Sequence, residues 1–117
     1  MNDSNQCFFI GRLTKVPFDC IKKLDNGNTH LSIGLAVKST SIDKSGQPYE
    51  RTDFPQLSIW NALAETTARD LQKGMEVEVI GQLQTRRYKS DNGQTWRYVT
   101  EILVSGIRPK SRVALVV

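Results

Sequence analysis

Two tight-turn signals, Asp25-Asn26-Gly27-Asn28 and Ser90-Asp91-Asn92-Gly93, do most to limit what this chain can become. Asn-Gly supplies residues that tolerate positive φ, which hairpin turns matched to the right-handed twist of strands demand. Each signal therefore marks a pair of antiparallel strands. After the first turn the pattern has a period of two: Leu31, Ile33, Leu35 and Val37 share one face, and Ser32, Gly34, Ala36 and Lys38 the other. Apart from the lysine the second face is small, as expected where another backbone or a ligand comes close. Before the second turn Val77, Val79 and Leu83 are expected to point inward, and Gln82, Gln84, Arg86 and Tyr88 outward.

The remaining segments fill in around these hairpins. Cys7 to Leu13 is apolar and strand-like, and Pro17 interrupts it. Residues 40–49 are rich in turn formers and read as an exposed loop or a long hairpin tip. In RTDFPQLSIW the alternation sends Leu57 and Ile59 to the core and Phe54, Gln56, Ser58 and Trp60 to the other side, with Pro55 favouring an edge or a bulge. Asn61 is a candidate N-cap for the helical run ALAETTARDLQK, where Ala64, Ala68 and Leu71 follow helical spacing and Glu65 can pair with Arg69. Gly74 then reads as its C′ residue, and a last strand runs from Trp96 to Val104.

A chain of 117 residues with no Pro-, Ser- or Gly-rich divider fits one domain. We place that domain at 1–108 and leave 109–117 as a short tail. The N-terminus lacks a secretory leader and no apolar run reaches membrane-spanning length, so a cytoplasmic protein with no membrane partner is expected. Cys7 and Cys20 have neither disulfide-scaffold density nor metal-ligand spacing and are expected to be reduced, structural thiols. The one histidine, His30, has no Cys or His at ligand spacing and reads as a polar residue at a strand end. No metal and no cofactor are expected. Asp and Glu are dispersed, without the clustered carboxylates and base a nuclease needs, so no enzyme is expected.

Charge is unevenly placed. Residues 84–112 hold seven Lys or Arg against two acids, a local charge of +5 in a chain whose net charge is +4. Basic character gathered in one segment suits a surface that meets a polyanion. Arg86, Arg87, Lys89 and Arg97, with Lys38 and Arg51, are the candidate phosphate contacts, and Lys15, Lys22 and Lys73 are secondary ones.

Five strands with one helix between the third and the fourth is the order of the OB-fold, an all-β Greek-key barrel whose face and loops bind oligonucleotides. The succession FFIGRL, LSIGLAVKS, W-N-x-LAE with its A-x-x-L-x-KG, V-x-V-x-GQLQTRRY and RYVTEI, spread over about residues 5–107, resembles bacterial single-stranded DNA-binding protein. That resemblance implies a partner, single-stranded DNA, and a role in replication, recombination or repair. It also implies stacking of bases on Phe54, Trp60 and Tyr88, with Trp96 beside them in the hairpin after Tyr88. The tryptophan that family members often carry near Thr40 and Ser41 is missing, with Tyr49 the available substitute. The family's usual assembly is a homotetramer, sometimes a dimer. The family's Gly/Pro/Gln-rich linker and acidic tip are absent from RPKSRVALVV, so tip-mediated recruitment of repair enzymes is not expected, and the short form suggests a phage, plasmid or other mobile element or a truncated chain. A primosomal-type OB-fold protein, which binds partner proteins as well as single strands, is the alternative reading.

Overall fold

In a computed structural model, which describes residues 3–110, the chain runs as β1 (Cys7–Leu13), a 3-10 turn (Pro17–Cys20), β2 (Ile21–Lys23), β3 (Thr29–Ile42), β4 (Pro48–Asp53), β5 (Gln56–Trp60), α1 (Asn61–Asp70), β6 (Glu76–Lys89) and β7 (Trp96–Pro109). The strands β1, β6, β7, β5 and β3 neighbour one another in that order, and β3 returns to β1 through Arg12↔Ala36 and Leu13↔Leu35, which closes the barrel. Every barrel pairing is antiparallel except β5 with β7. The expected OB-fold is therefore present, with α1 between the third and fourth barrel strands; β2 and β4 are additions along β3.

Period-two patterning places the core. Leu31, Ile33 and Leu35 of β3, Leu57 and Ile59 of β5, Val77 and Val79 of β6, and Ile102 and Val104 of β7 are buried in one cluster, and Ala64, Ala68 and Leu71 bring the helix segment against it. Cys7 and Cys20 are half-buried and pack on the same cluster. The small second face of β3 serves the barrel's closure. A side chain at Gly11 would put its Cβ 2.5 Å from the carbonyl oxygen of Ala36, so only glycine lets β1 cross β3 so closely. Gly34 is likewise covered, by Thr14, whose hydroxyl donates to the Gly34 carbonyl at 2.8 Å.

Both turn signals form hairpins, β2–β3 and β6–β7, with Gly27 and Gly93 at positive φ. Residues 43–47 form the tip of a third, long hairpin between β3 and β4, and Pro55 falls in the break between β4 and β5, its carbonyl accepting the Leu35 N–H. β7 runs one residue past the boundary placed at 108; Val113–Val117, left as an unassigned apolar end, lie outside the described residues.

Four local expectations are corrected. Asn61 does not cap the helix with its side chain: it sits at φ 53°, and its Oδ1 accepts the N–H of Thr29 at 3.0 Å, tying the helix start to β3. The helix stops at Asp70 because Leu71 turns extended to enter the core, so Gly74, φ +81°, belongs to the next turn, where its N–H bonds the Leu13 carbonyl. Glu65 accepts the Thr29 hydroxyl at 3.2 Å while Arg69 pairs with Asp70 at 2.8 Å, so the expected i,i+4 pair is replaced by nearer partners. Leu83 keeps the parity of Val77 and Val79 yet is half exposed, because the β1–β6 ladder ends at Cys7↔Gly81. Its partner Ile102 on β7 is still buried and paired with Leu57, and only beyond this point do β6 and β7 run on as a two-stranded arm.

Candidate nucleic-acid interface

Strand register decides which outward residues meet. His30 pairs with Trp60 and Ser32 with Ser58 across β3 and β5, Ser58 pairs with Leu103 across β5 and β7, and Gln84↔Glu101, Arg86↔Val99 and Tyr88↔Arg97 pair across β6 and β7. Paired residues share a face. The outer wall of the barrel therefore runs from His30 and Trp60, past Ser58, Glu101 and Arg86, out to Tyr88 and Arg97 on the arm.

Trp60 stands at the end of β5 with 38% of its surface exposed. The His30 ring lies against it, centroids 4.2 Å apart at 40°, and His30 Nε2 is 2.7 Å from the Ser58 hydroxyl. Ser58 was expected outward; it is on the outer wall but buried, with His30 across it. Burial holds the His30 imidazole below its ordinary pKa of 6.5; Glu101 pulls the other way, while Arg86 and Lys22 act with burial. Lys22 is the direct cross-strand neighbour of His30.

Glu101 is the one buried acid among the described residues, its side chain 2% exposed. Its Oε1 accepts from Arg86 Nε at 2.6 Å and from Gln84 Nε2 at 3.0 Å. That geometry changes the reading of Arg86. A guanidinium held by a buried carboxylate is part of the wall, and it lies 5.9 Å from the Tyr88 ring, so it braces the ring more than it offers a free cation.

The other proposed cations divide. Arg51 is held by Asp53 through contacts of 3.0 to 3.2 Å, and Lys38 approaches Glu50 at 3.9 Å, both pairs solvent-exposed. Arg87, Lys89 and Arg97 have no carboxylate within ion-pair distance among the described residues, and all three are on the arm. Of the secondary candidates, Lys73 lines a separate cavity of about 430 Å³ with Arg12 and Lys110, and Lys15 is exposed after β1.

The proposed aromatics are all outside the core but do not form one row. Phe54 is 66% exposed in the break between β4 and β5. Tyr88 shares the wall of Trp60. Trp96 pairs with Lys89 and so faces the opposite side of the arm from Tyr88. Tyr49 stands directly across from Ser41 on the β3–β4 hairpin. Two residues escaped sequence reasoning. Tyr98, 70% exposed, shares the Trp96 face, and the i,i+2 spacing of the two rings was a readable signal. His30 had no such signal, because its role depends on the β3–β5 register.

Barrel topology and this wall of rings and cations define an OB-fold protein of the oligonucleotide-binding class. More specifically, the chain belongs to the single-strand binding protein family, whose model matches residues 4–109. It is 36% identical over 111 residues to single-stranded DNA-binding protein B of Bacillus subtilis (strain 168), covering 92% of this chain and 94% of that one. A crystal structure of a deletion mutant of the single-stranded DNA binding protein from Thermus aquaticus superposes with a TM-score of 0.78 at 27% identity. That match covers 92% of this chain and 51% of the Thermus chain, so this chain spans about half the length of that relative. The Plasmodium falciparum SSB, in complex with ssDNA, gives a TM-score of 0.78 at 25% identity over 95% of this chain and 100% of that one.

Proposed function

We propose that this protein binds single-stranded DNA with little sequence preference and protects it during replication, recombination or repair, without turning it over. The observation that carries the reading is the shared outer wall on which Trp60 and Tyr88 stand beside Arg97. Unpaired nucleotides offer a free π face and a phosphate each, and stacking tolerates any base because every base has a face. Phe54 and Trp96 supply further rings. Lys38 and Arg51 reach phosphates by exchanging solvent-exposed carboxylate partners, a weak competition, and Arg87, Lys89 and Arg97 reach them directly.

The binding domain is placed at residues 1–108, extended to Pro109 by β7, and the protein works in the cytoplasm. No helix among the described residues is long and apolar enough to cross a membrane. It works as a homotetramer. Supporting self-association, Phe8 pairs with Ile80 across β1 and β6, and both, with Ile10, present exposed apolar side chains outside the barrel.

Titration of oligodeoxythymidylate followed by tryptophan fluorescence at two salt concentrations tests the reading. The wild-type signal is expected to saturate, with log affinity falling by about 0.7 per phosphate contacted for each unit of log salt. Trp60→Ala combined with Tyr88→Ala removes two stacking partners of about 1–3 kcal/mol each, so affinity is expected to fall at least about thirtyfold. Unchanged affinity in that double variant would sink the proposal.

A further inference from the structure

Trp60 is the last residue of β5, and Asn61 turns the chain away at φ 53°, so no later residue of that strand stands beside the indole. The ring also lines an open cavity of about 620 Å³ with Leu63, Gln82, Leu103 and Ser105. An indole beside free space has more than one staggered setting open to it. One side chain limits them. His30, its direct partner across β3 and β5, lays its imidazole on the ring, the one aromatic pair among the described residues. His30 is in turn fixed by the 2.7 Å contact of Nε2 with the hydroxyl of the buried Ser58. Lys22 pairs with His30 from the other side, so β2, β3 and β5 carry a row of cation, imidazole and indole.

We propose that His30 is a positioning residue for Trp60, holding the indole in the setting on which a base stacks, and that it couples strand binding to uptake of a proton. The proposal rests on the single-strand reading above and gives it a pH dependence. Affinity is reduced by the fraction of free protein that lacks the competent setting, so a ring held in advance binds more tightly. The groups around His30 supply the coupling. Burial, Arg86 on β6 and Lys22 on β2 oppose an imidazolium, while Glu101 on β7 favours it. Ser58 and Trp60 on β5 and Ser32 on β3 itself carry no charge. Glu101 is already engaged by Arg86, so the imidazole of the free protein is neutral at ordinary pH. A phosphate drawn to Lys22 offsets that cation and brings a negative charge beside the ring, so the bound protein takes a proton more readily than the free one. The imidazolium then lies on an aromatic face that favours a cation. Binding that raises the His30 pKa strengthens as pH falls through the bound value and levels off below the free one.

The test is the affinity of the full chain for oligodeoxythymidylate carrying a pH-insensitive dye, read by anisotropy between about pH 7.5 and 5.5, where histidine titrates and thymine and the phosphodiester do not. Wild-type affinity is expected to rise about tenfold across that range, equivalent to one unit of pKa change on binding. His30→Gln keeps a hydrogen-bonding group for Ser58 but has neither ring nor titration. It is expected to bind about fivefold more weakly at the upper end of the range, the scale of one aromatic pair, and to lose the rise. His30→Phe returns a ring to the indole and is expected to recover the affinity at the upper end while also losing the rise. In a Trp60→Ala background, His30→Gln is expected to change affinity at the upper end by less than about twofold, because its effect passes through the indole. A wild-type profile as flat as that of His30→Gln overturns the proton coupling, and needs no variant but the wild type to be measured. An equal loss from His30→Gln with and without the Trp60 ring overturns the positioning role. Both outcomes leave strand binding intact, whereas a wild type that binds no strand at any pH defeats the single-strand reading instead.

Discussion

Arg86→Ala is the substitution that separates wall from ligand contact. Arg86 is 51% exposed and looks from the sequence like one more phosphate cation, yet its Nε lies 2.6 Å from a carboxylate that is 2% exposed. Removing one partner of a fully buried pair costs about 3–5 kcal/mol, because the other charge stays behind unpaired. Here water can follow the truncation to Glu101 and Gln84 still donates to it, so the cost reduces to about 2 kcal/mol. For a chain of this size that is a melting-point loss of about 8 °C at fixed protein concentration. Glu101→Gln is expected to cost less, about 1 kcal/mol, since the half-exposed guanidinium can rehydrate. The double variant is expected to be more stable than Arg86→Ala alone, because no buried charge is then left without its partner.

Thermal unfolding by circular dichroism reads the stability side, and the salt dependence of oligodeoxythymidylate affinity reads the binding side. Arg86→Ala is expected to keep the wild-type salt slope, whereas Arg97→Ala lowers it by about 0.7. If Arg86→Ala melts with the wild type, gains nothing from Glu101→Gln and loses about 0.7 from the slope, the guanidinium is a free phosphate ligand and the bracing argument is wrong.

Three further outcomes are expected. Gly81→Ala drives a Cβ into the carbonyl oxygen of Leu103 and is expected to cost about 1–3 kcal/mol in urea unfolding, while Gly106→Ala, which meets nothing within 4 Å, stays within about 0.5 kcal/mol of wild type. Asn61→Ala loses the Thr29 acceptor and strains a φ of 53°, for about 2 kcal/mol, and Asn61→Gly recovers the strain but not the hydrogen bond. His30 has its folded pKa lowered below 6.5 by burial, so as pH falls through that value the unfolded chain takes up a proton the folded one resists. Stability then drops until the folded pKa is passed, and His30→Gln should remove that part of the melting-temperature slope between about pH 7.5 and 5; an identical slope in the variant refutes the assignment.

Much of the fold was legible in the residues. Alternation over Leu31, Ile33 and Leu35, and over Val77 and Val79, named core positions correctly because a strand with one buried face repeats every two residues whatever its neighbours. The Asn-Gly turns fixed two hairpins, since few other residues accept those dihedrals. Parity also turned Trp60 and Tyr88 outward. What parity alone left open was how far each neighbouring strand extends, and Leu83 shows the consequence: its parity is inward, but β1 stops pairing with β6 at Gly81 and no longer covers it.

How the candidate cations divide depends on tertiary structure alone. Three cations of similar appearance in the sequence, Arg86, Arg87 and Arg97, become a braced wall residue, a reverse-face cation and an outer-wall cation. The difference comes from cross-strand register and from one buried carboxylate 15 residues away in the chain. The apposition of His30 with Trp60, 30 residues apart, comes likewise from the β3–β5 pairing. Local preference sets which way a side chain points along its own strand; which neighbour it meets there is a property of the closed sheet, because pairing joins residues that no short-range pattern connects.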